Sequence, residues 1–228
     1  MQGPLRGKRW IVGSGLQGYW LGSYEYAKQR LFAATVVPGS VVYDIGANVG
    51  FYTLLAAARV GDQGRVIAFE PLPANLDFIH RHLQLNHVAS AHVIGAAVGD
   101  YTGEAAFAPG RNRSTGTLSA AGDLRVKVVS IDEMVATGEL PPADCVKIDV
   151  EGSELSVLRG ARELLSHHHP VIFLATHGTQ VQRECLGFLK GFGYECIPID
   201  GRPLSESREL IAEVQAPATH AEETAGAA

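Results

Sequence analysis

The chain has 228 residues, 46% of them hydrophobic and 19% charged, with a formal net charge of −5. That balance suits one α/β domain with a sizeable core and gives no overall attraction to nucleic acid or an anionic membrane. No apolar run reaches the roughly 18 residues that span a bilayer, and Cys145, Cys185 and Cys196, odd in number and not spaced like metal ligands, read as free thiols of a reducing cytoplasm.

Residues 1–37 precede the first core strand and are rich in aromatics: Trp10, Tyr19, Trp20, Tyr24, Tyr26 and Phe32. Basic Arg6, Lys8 and Arg9 are not followed by a sustained apolar stretch, so no signal peptide is expected. Tyr24 to Ala34 has few breakers and predicts a helix, acting either as a lid and substrate wall or as packing on the sheet. Pro38-Gly39 then turns the chain into a single domain over 38–215.

Within that domain strands and helices alternate. Ser40–Asp44 reads as a strand, Gly50–Ala58 as a helix, Arg65–Glu70 as a strand that Pro71 ends, Ala74–Asn86 as a helix and Ala91–Gly95 as a third strand. Such alternation predicts a parallel sheet with right-handed crossovers. The pattern changes in an insert over about 100–130. Gly103–Ala108 looks like an edge strand, 111–120 a polar loop, and Leu124–Val129 a strand; Ser130 and Glu133 have capping-box spacing. Asp144–Val150 opens the second half. Ser153 caps a helix running to about Ser166, Pro170–Thr176 is a buried strand, and Thr179–Lys190 is a helix. Gly193–Ile199 and Leu210–Gln215 form an antiparallel hairpin. The tail, 216–228, is Ala-, Glu- and Thr-rich without a period and is expected to be disordered.

Chemistry concentrates at strand ends. The first strand closes on Asp44 and enters Gly46-x-x-x-Gly50, a sharp turn feeding a helix start. The dinucleotide fingerprint is Gly-x-Gly-x-x-Gly, and Asn48 stands where its second glycine belongs. A carboxylate repels a pyrophosphate and attracts an ammonium. Asp44 therefore favours S-adenosylmethionine, which carries an ammonium, a sulfonium and an adenosine, over NAD. Glu70 ends the next strand 26 residues later (70 − 44), near the ~20-residue offset at which such sheets place an acid on ribose hydroxyls.

Lys147-Ile148-Asp149-Val150-Glu151-Gly152-Ser153-Glu154-Leu155, continued by Leu158-Arg159-Gly160-Ala161, strongly resembles the FkbM-type S-adenosylmethionine-dependent methyltransferases. So do Asp44 to Gly50, Phe69-Glu70-Pro71 with Asn75 and Asn86, Ala96 to Asp100, and the lead-in Gly22-Ser23-Tyr24-Glu25. The resemblance spans roughly residues 20–178. It implies a Rossmann-like class I methyltransferase fold with a seven-stranded, mostly parallel sheet and helices on both faces. It implies S-adenosylmethionine as cofactor and O-methylation of sugar or natural-product hydroxyls. By position Asp44, Gly46, Asn48 and Gly50, with Ala47 in the same loop, hold the methionine end. Glu70 holds the ribose with Pro71 beside it, and Ala96 and Ala97 flank adenine.

Methyl transfer to a hydroxyl needs positioning and a place for the proton. Asp149 and Glu151 follow the fourth core strand and His177 the fifth; His177 has the ordinary pKa of a base near neutrality. Amino-group methyltransferases of this fold often resemble Asn/Asp-Pro-Pro-Tyr where this chain has Asp149-Val150-Glu151-Gly152, which favours an oxygen acceptor. Asp149 and Glu151 could share a divalent ion with substrate oxygens, but no third protein ligand is evident, so a metal is not favoured. Lys147, on a buried strand, is expected to pair with an acid. His167-His168-His169 sit at a helix C-terminus and read as structural. The acceptor reads as a small-molecule or saccharide hydroxyl rather than nucleic acid, which would need a basic stripe; the alternative is a non-catalytic, methyltransferase-like binding module.

Overall fold

The computed structural model describes residues 1–15, 18–21, 23–109, 116–118 and 122–215. A short 3-10 turn (Gly3–Leu5) and two helices, α1 (Gly18–Leu21) and α2 (Tyr26–Thr35), lead into β1 (Val41–Ile45), α3 (Phe51–Val60), β2 (Arg65–Phe69), α4 (Pro73–Leu85) and β3 (Ala91–Ile94). A smaller sheet follows, built from β4 (Ala97–Val98), β5 (Gly103–Pro109), β6 (Gly116–Leu118) and β7 (Leu124–Val129). After α5 (Ile131–Ala136) come β8 (Cys145–Ile148), α6 (Glu154–Arg159), α7 (Arg162–His167), β9 (Val171–Ala175), α8 (Thr179–Lys190), β10 (Tyr194–Pro198) and β11 (Glu209–Val214).

The main sheet has seven strands in the order β3-β2-β1-β8-β9-β11-β10. Strands β3, β2, β1, β8 and β9 run parallel, and β11 lies antiparallel to both of its neighbours. The central strands are buried on both faces, which is why they read as continuous apolar runs. Successive side chains alternate between two cores. Tyr43 and Ile45 face one built with α5 to α8, while Val42 faces another built with α2 and α3. Asp44 shares the parity of Val42 and therefore points at α3. Helix α3 is apolar nearly all round because the sheet covers one side and the N-terminal segment the other. Among the described residues no helix is long and apolar enough to cross a membrane.

Three local expectations give way to tertiary context. Strand β5 is not an edge: it pairs with β7 on one side and β6 on the other, in the sheet order β4-β7-β5-β6. The segment after Ser153 is two helices, not one. A Cβ on Gly160 would sit 1.9 Å from the Gly99 carbonyl oxygen, so the chain crosses the insert there in contact with bare backbone. The Gly160 carbonyl accepts from the Asp132 N–H at 2.8 Å and the Ser130 hydroxyl at 3.2 Å, which ties the break to the start of α5. Neither Ser130 nor Ser153 caps its own helix through its side chain. Asp132 instead accepts from the Glu163 and Leu164 N–H groups and so caps α7. The expected 216–228 tail and most of the 111–120 loop lie outside the described residues.

Helix α2 is clamped by Phe32, fully buried between the rings of Tyr52 and Phe173. Phe32→Ala is expected to cost about 3–5 kcal/mol, read as a lower urea midpoint with unchanged slope.

Candidate functional site

The carboxyl ends of the parallel strands open onto a cleft of about 660 Å³, within the range of small-ligand sites. Its floor is the loop from Ile45 to Val49, and residues 69–72, 74–75, 96–98, 149–151, Lys147, Ser153, Tyr19, Tyr24 and Gly13 to Gly15 form its walls. Gly46, at φ +76°, could not carry a side chain: a Cβ would lie 1.9 Å from the Asp149 carbonyl oxygen. The β1 and β8 loops thus meet backbone to backbone. Asn48 takes the left-handed conformation at φ +52°, which asparagine tolerates better than most residues.

Of the residues anticipated for the cofactor, Gly46, Ala47, Asn48, Glu70, Pro71, Ala96 and Ala97 line the cleft. Gly50 does not; it packs on Ile79 at the start of α3. Asp44 does not either. It is fully buried, accepts from the Thr53 hydroxyl at 2.6 Å and pairs with the Lys147 ammonium at 3.3 Å. Its parity in β1 turns it toward α3, away from the lining of the cleft.

Glu70 is held from three sides. The Asn48 N–H donates to Oε2 at 2.8 Å, and the Leu72 N–H and the Asn75 amide donate to Oε1 at 3.0 and 3.1 Å. Burial dominates and pushes its carboxyl up to about 7 against the downward pull of those donors and Lys147. Asn75 stands out in the sequence beside Phe69-Glu70-Pro71, but its role as a donor to Glu70, and that of the Leu72 N–H, does not show there.

On the other side of β1, Lys147 donates to the Gly46 carbonyl at 2.8 Å and stands 3.8 Å from Asp149 Oδ2, so the expected pairing with an acid is met twice. Burial raises the Asp149 carboxyl, but the charges of Lys147, Lys28 and His177 outweigh it and hold it below the usual carboxylate range. Asp149 and Glu151 line the cleft, and His177 stands beside them at the end of β9. His177 Nδ1 hydrogen-bonds Glu154 Oε1 at 2.7 Å, while Nε2 lies 3.7 Å from Asp149 Oδ1 and 3.6 Å from Glu151 Oε2. The Glu154 hydrogen bond, with the charges of Asp149 and Glu151, lifts the imidazole to about 9 despite its burial. That direction works against a neutral imidazole base in the chain without an ion at the site. Glu154, fully buried at the start of α6, was also missed; it lies inside the recognisable 147–155 block but reads there as an ordinary first-turn acid.

The N-terminal segment packs on the sheet side and also reaches the cleft. Helix α2 packs on α3 through Phe32, while Tyr19 and Tyr24 wall the cleft and stack with Phe51 and Trp10. Beneath them Lys28 is buried between Glu25 at 3.2 Å and Glu209 at 2.6 Å.

The model of the "Methyltransferase FkbM domain" family matches residues 44–197. A curated relative, "Hexuronic acid methyltransferase AglP" of Haloferax volcanii, is 33% identical over 147 residues, covering 63% of this chain and 59% of that protein. The chain thus spans about three fifths of that relative's length. Among solved structures, a methyltransferase FkbM from Methylobacillus flagellatus KT superposes with a TM-score of 0.55 at 18% identity, over 90% of this chain and 56% of that one. Fibrillarin from Aeropyrum pernix, with natively bound S-adenosyl-L-methionine, gives 0.54 at 14% identity over 92% and 86%. These two likenesses speak for the fold, the Rossmann-like class I methyltransferase architecture. The family match covers most of the chain, and the protein belongs to the FkbM methyltransferase family.

Proposed function

We propose that this methyltransferase uses S-adenosylmethionine and methylates a hydroxyl of a saccharide or related small molecule. The observation that carries the reading is the pairing of the Gly46 loop with Glu70. A tight backbone turn lies beside a carboxylate whose three donors fix it at the cleft wall, the arrangement a ribose diol would use. Adenine would lie against Ala96 and Ala97, and the methionine end over Gly46, Ala47 and Asn48. A saccharide acceptor is supported by the relative named for hexuronic acid. The net charge of −5 favours it over nucleic acid.

When bound, S-adenosylmethionine supplies a sulfonium-activated methyl, which passes in line to the acceptor oxygen while the carbon–sulfur electron pair stays on sulfur. The chain's part is to position and to remove a proton. Asp149 and Glu151 face the cleft where the hydroxyl would lie. Glu151, 46% exposed, can take the proton and pass it to solvent. His177 stands between both carboxylates, 3.7 and 3.6 Å from them. The aromatic wall of Tyr19 and Tyr24 offers flat apolar surface to a sugar face.

Calorimetric titration with S-adenosylhomocysteine is expected to give micromolar binding, roughly −8 kcal/mol, weakened at least tenfold in Glu70→Gln. Absence of binding to folded wild type would leave the binding-module alternative. Because a ribose needs the ionised carboxylate, affinity should rise with pH through about 7 in the wild type and stay flat in the variant. Stability should run the other way. The folded-state value lies above the ordinary one, so the contribution of Glu70 is full below about 4.5 and is lost as pH rises through 7. Between pH 5 and 8 the wild type should lose up to about 3 kcal/mol more than Glu70→Gln in denaturant unfolding.

A further inference from the structure

Asp149 and Glu151 alone make half a metal site, and the fold supplies a third ligand from 26 residues further on (177 − 151). One oxygen of each carboxylate and one ring nitrogen of His177 lie within 4.8 Å of one another. The Nε2 atom points between the two oxygens at 3.6 and 3.7 Å. Those separations are too long for hydrogen bonds. They are close to the ~3.0–3.4 Å between adjacent ligands of an ion bound at ~2.1–2.4 Å. A contraction of a few tenths of an ångström would bring Nε2 to ligand spacing from each carboxylate.

The rear of the imidazole gives a second, independent observation. Nδ1 is fixed at 2.7 Å by Glu154, a fully buried acid whose other oxygen, Oε2, has no hydrogen-bond partner. A carboxylate that orients one ring nitrogen so that the other can ligate is the usual outer shell of a metal-binding histidine. Lys147 approaches Asp149 through Oδ2, which leaves Oδ1 for the ion. Glu151 is half-exposed, so the remaining coordination positions open to solvent and the cleft.

We propose that Asp149, Glu151 and His177 bind a single divalent cation of the Mg²⁺ or Mn²⁺ type, with Glu154 as a positioning residue. Two carboxylates, one imidazole and open sites for oxygen suit these ions, and no cysteine belongs to the set. The site lies over β8 and β9, on the opposite side of β1 from Glu70 at the end of β2. The ion's role rests on the methyl-transfer reading above: it would take the acceptor hydroxyl as a ligand and make its proton easier to lose. Binding of the ion does not depend on that reading.

The test is Mn²⁺ titration of the full chain, followed by water-proton relaxation, beside the calorimetric titration with S-adenosylhomocysteine. One saturable Mn²⁺ per chain is expected, displaced by excess Mg²⁺. Affinity should fall at least tenfold in Glu151→Gln and His177→Ala, fall 10–100-fold in Glu154→Gln, and stay unchanged in Glu163→Gln, a distant exposed acid. Circular dichroism would establish that the variants are folded; Glu151 is exposed enough for its variant to fold normally. No saturable Mn²⁺ in the wild type, or affinity unaltered in folded Glu151→Gln, would overturn the site. Wild type that binds S-adenosylhomocysteine but not Mn²⁺ would remove the ion and leave the cofactor reading standing. The reverse result would establish the ion and remove the methyl-transfer role.

Discussion

The buried ammonium of Lys147 is the interaction on which the cleft depends. It sits on β8 directly beside Asp44 of β1, its register partner. A charge in that position is tolerated only when its partners surround it. They are Asp44 below, the Gly46 carbonyl above and Asp149 at the strand end, with the Tyr52 ring 5.6 Å away. Each partner belongs to a piece of the site, so satisfying one lysine draws the glycine loop against the loop after β8. The absence of a side chain at Gly46 is what lets the two backbones close on it.

From that anchor the cleft divides by charge. Over β2 a single acid, Glu70, sits among neutral donors, and burial leaves it balanced near neutrality. Over β8 and β9, anions and cations alternate: Lys147, Asp149, His177, Glu151 and Glu154 form a chain of contacts between 2.7 and 3.8 Å. The division follows from topology, since the strand order reverses beside β1, where ligands of open α/β sheets collect.

Most of the architecture was legible because both faces of a parallel strand are covered, and such strands announce themselves as short apolar runs ended by an acid or glycine. The Gly46 loop, Glu70 and the 147–155 block could be placed on strand ends for that reason. The direction of Asp44 was also available in principle, from the alternation Val42, Tyr43, Asp44, but the ligand argument took the acid at the turn to face the ligand. The serine caps failed differently. Ser130 has capping-box spacing with Glu133, yet the Asp132 N–H at the start of α5 donates to the Gly160 carbonyl, and the Asp132 side chain caps α7 instead. No local pattern encodes that, nor the meeting of His177 with Asp149, Glu151 and Glu154 across two strands.

The outer part of the sheet has a consequence for how the chain is made. Lys28 belongs to the N-terminal segment that walls the cleft, and its nearest carboxylate, Glu209 at 2.6 Å, opens β11, 181 residues later (209 − 28). Strand β11 must also slip between β9 and β10 rather than add to the outside. Helix α2 therefore waits for Glu209 to be made before that ion pair can form, and β9 waits with a bare flank. Such long-range closure is entropically slow. The segment that walls the cleft is thus locked by a residue far from it in the chain.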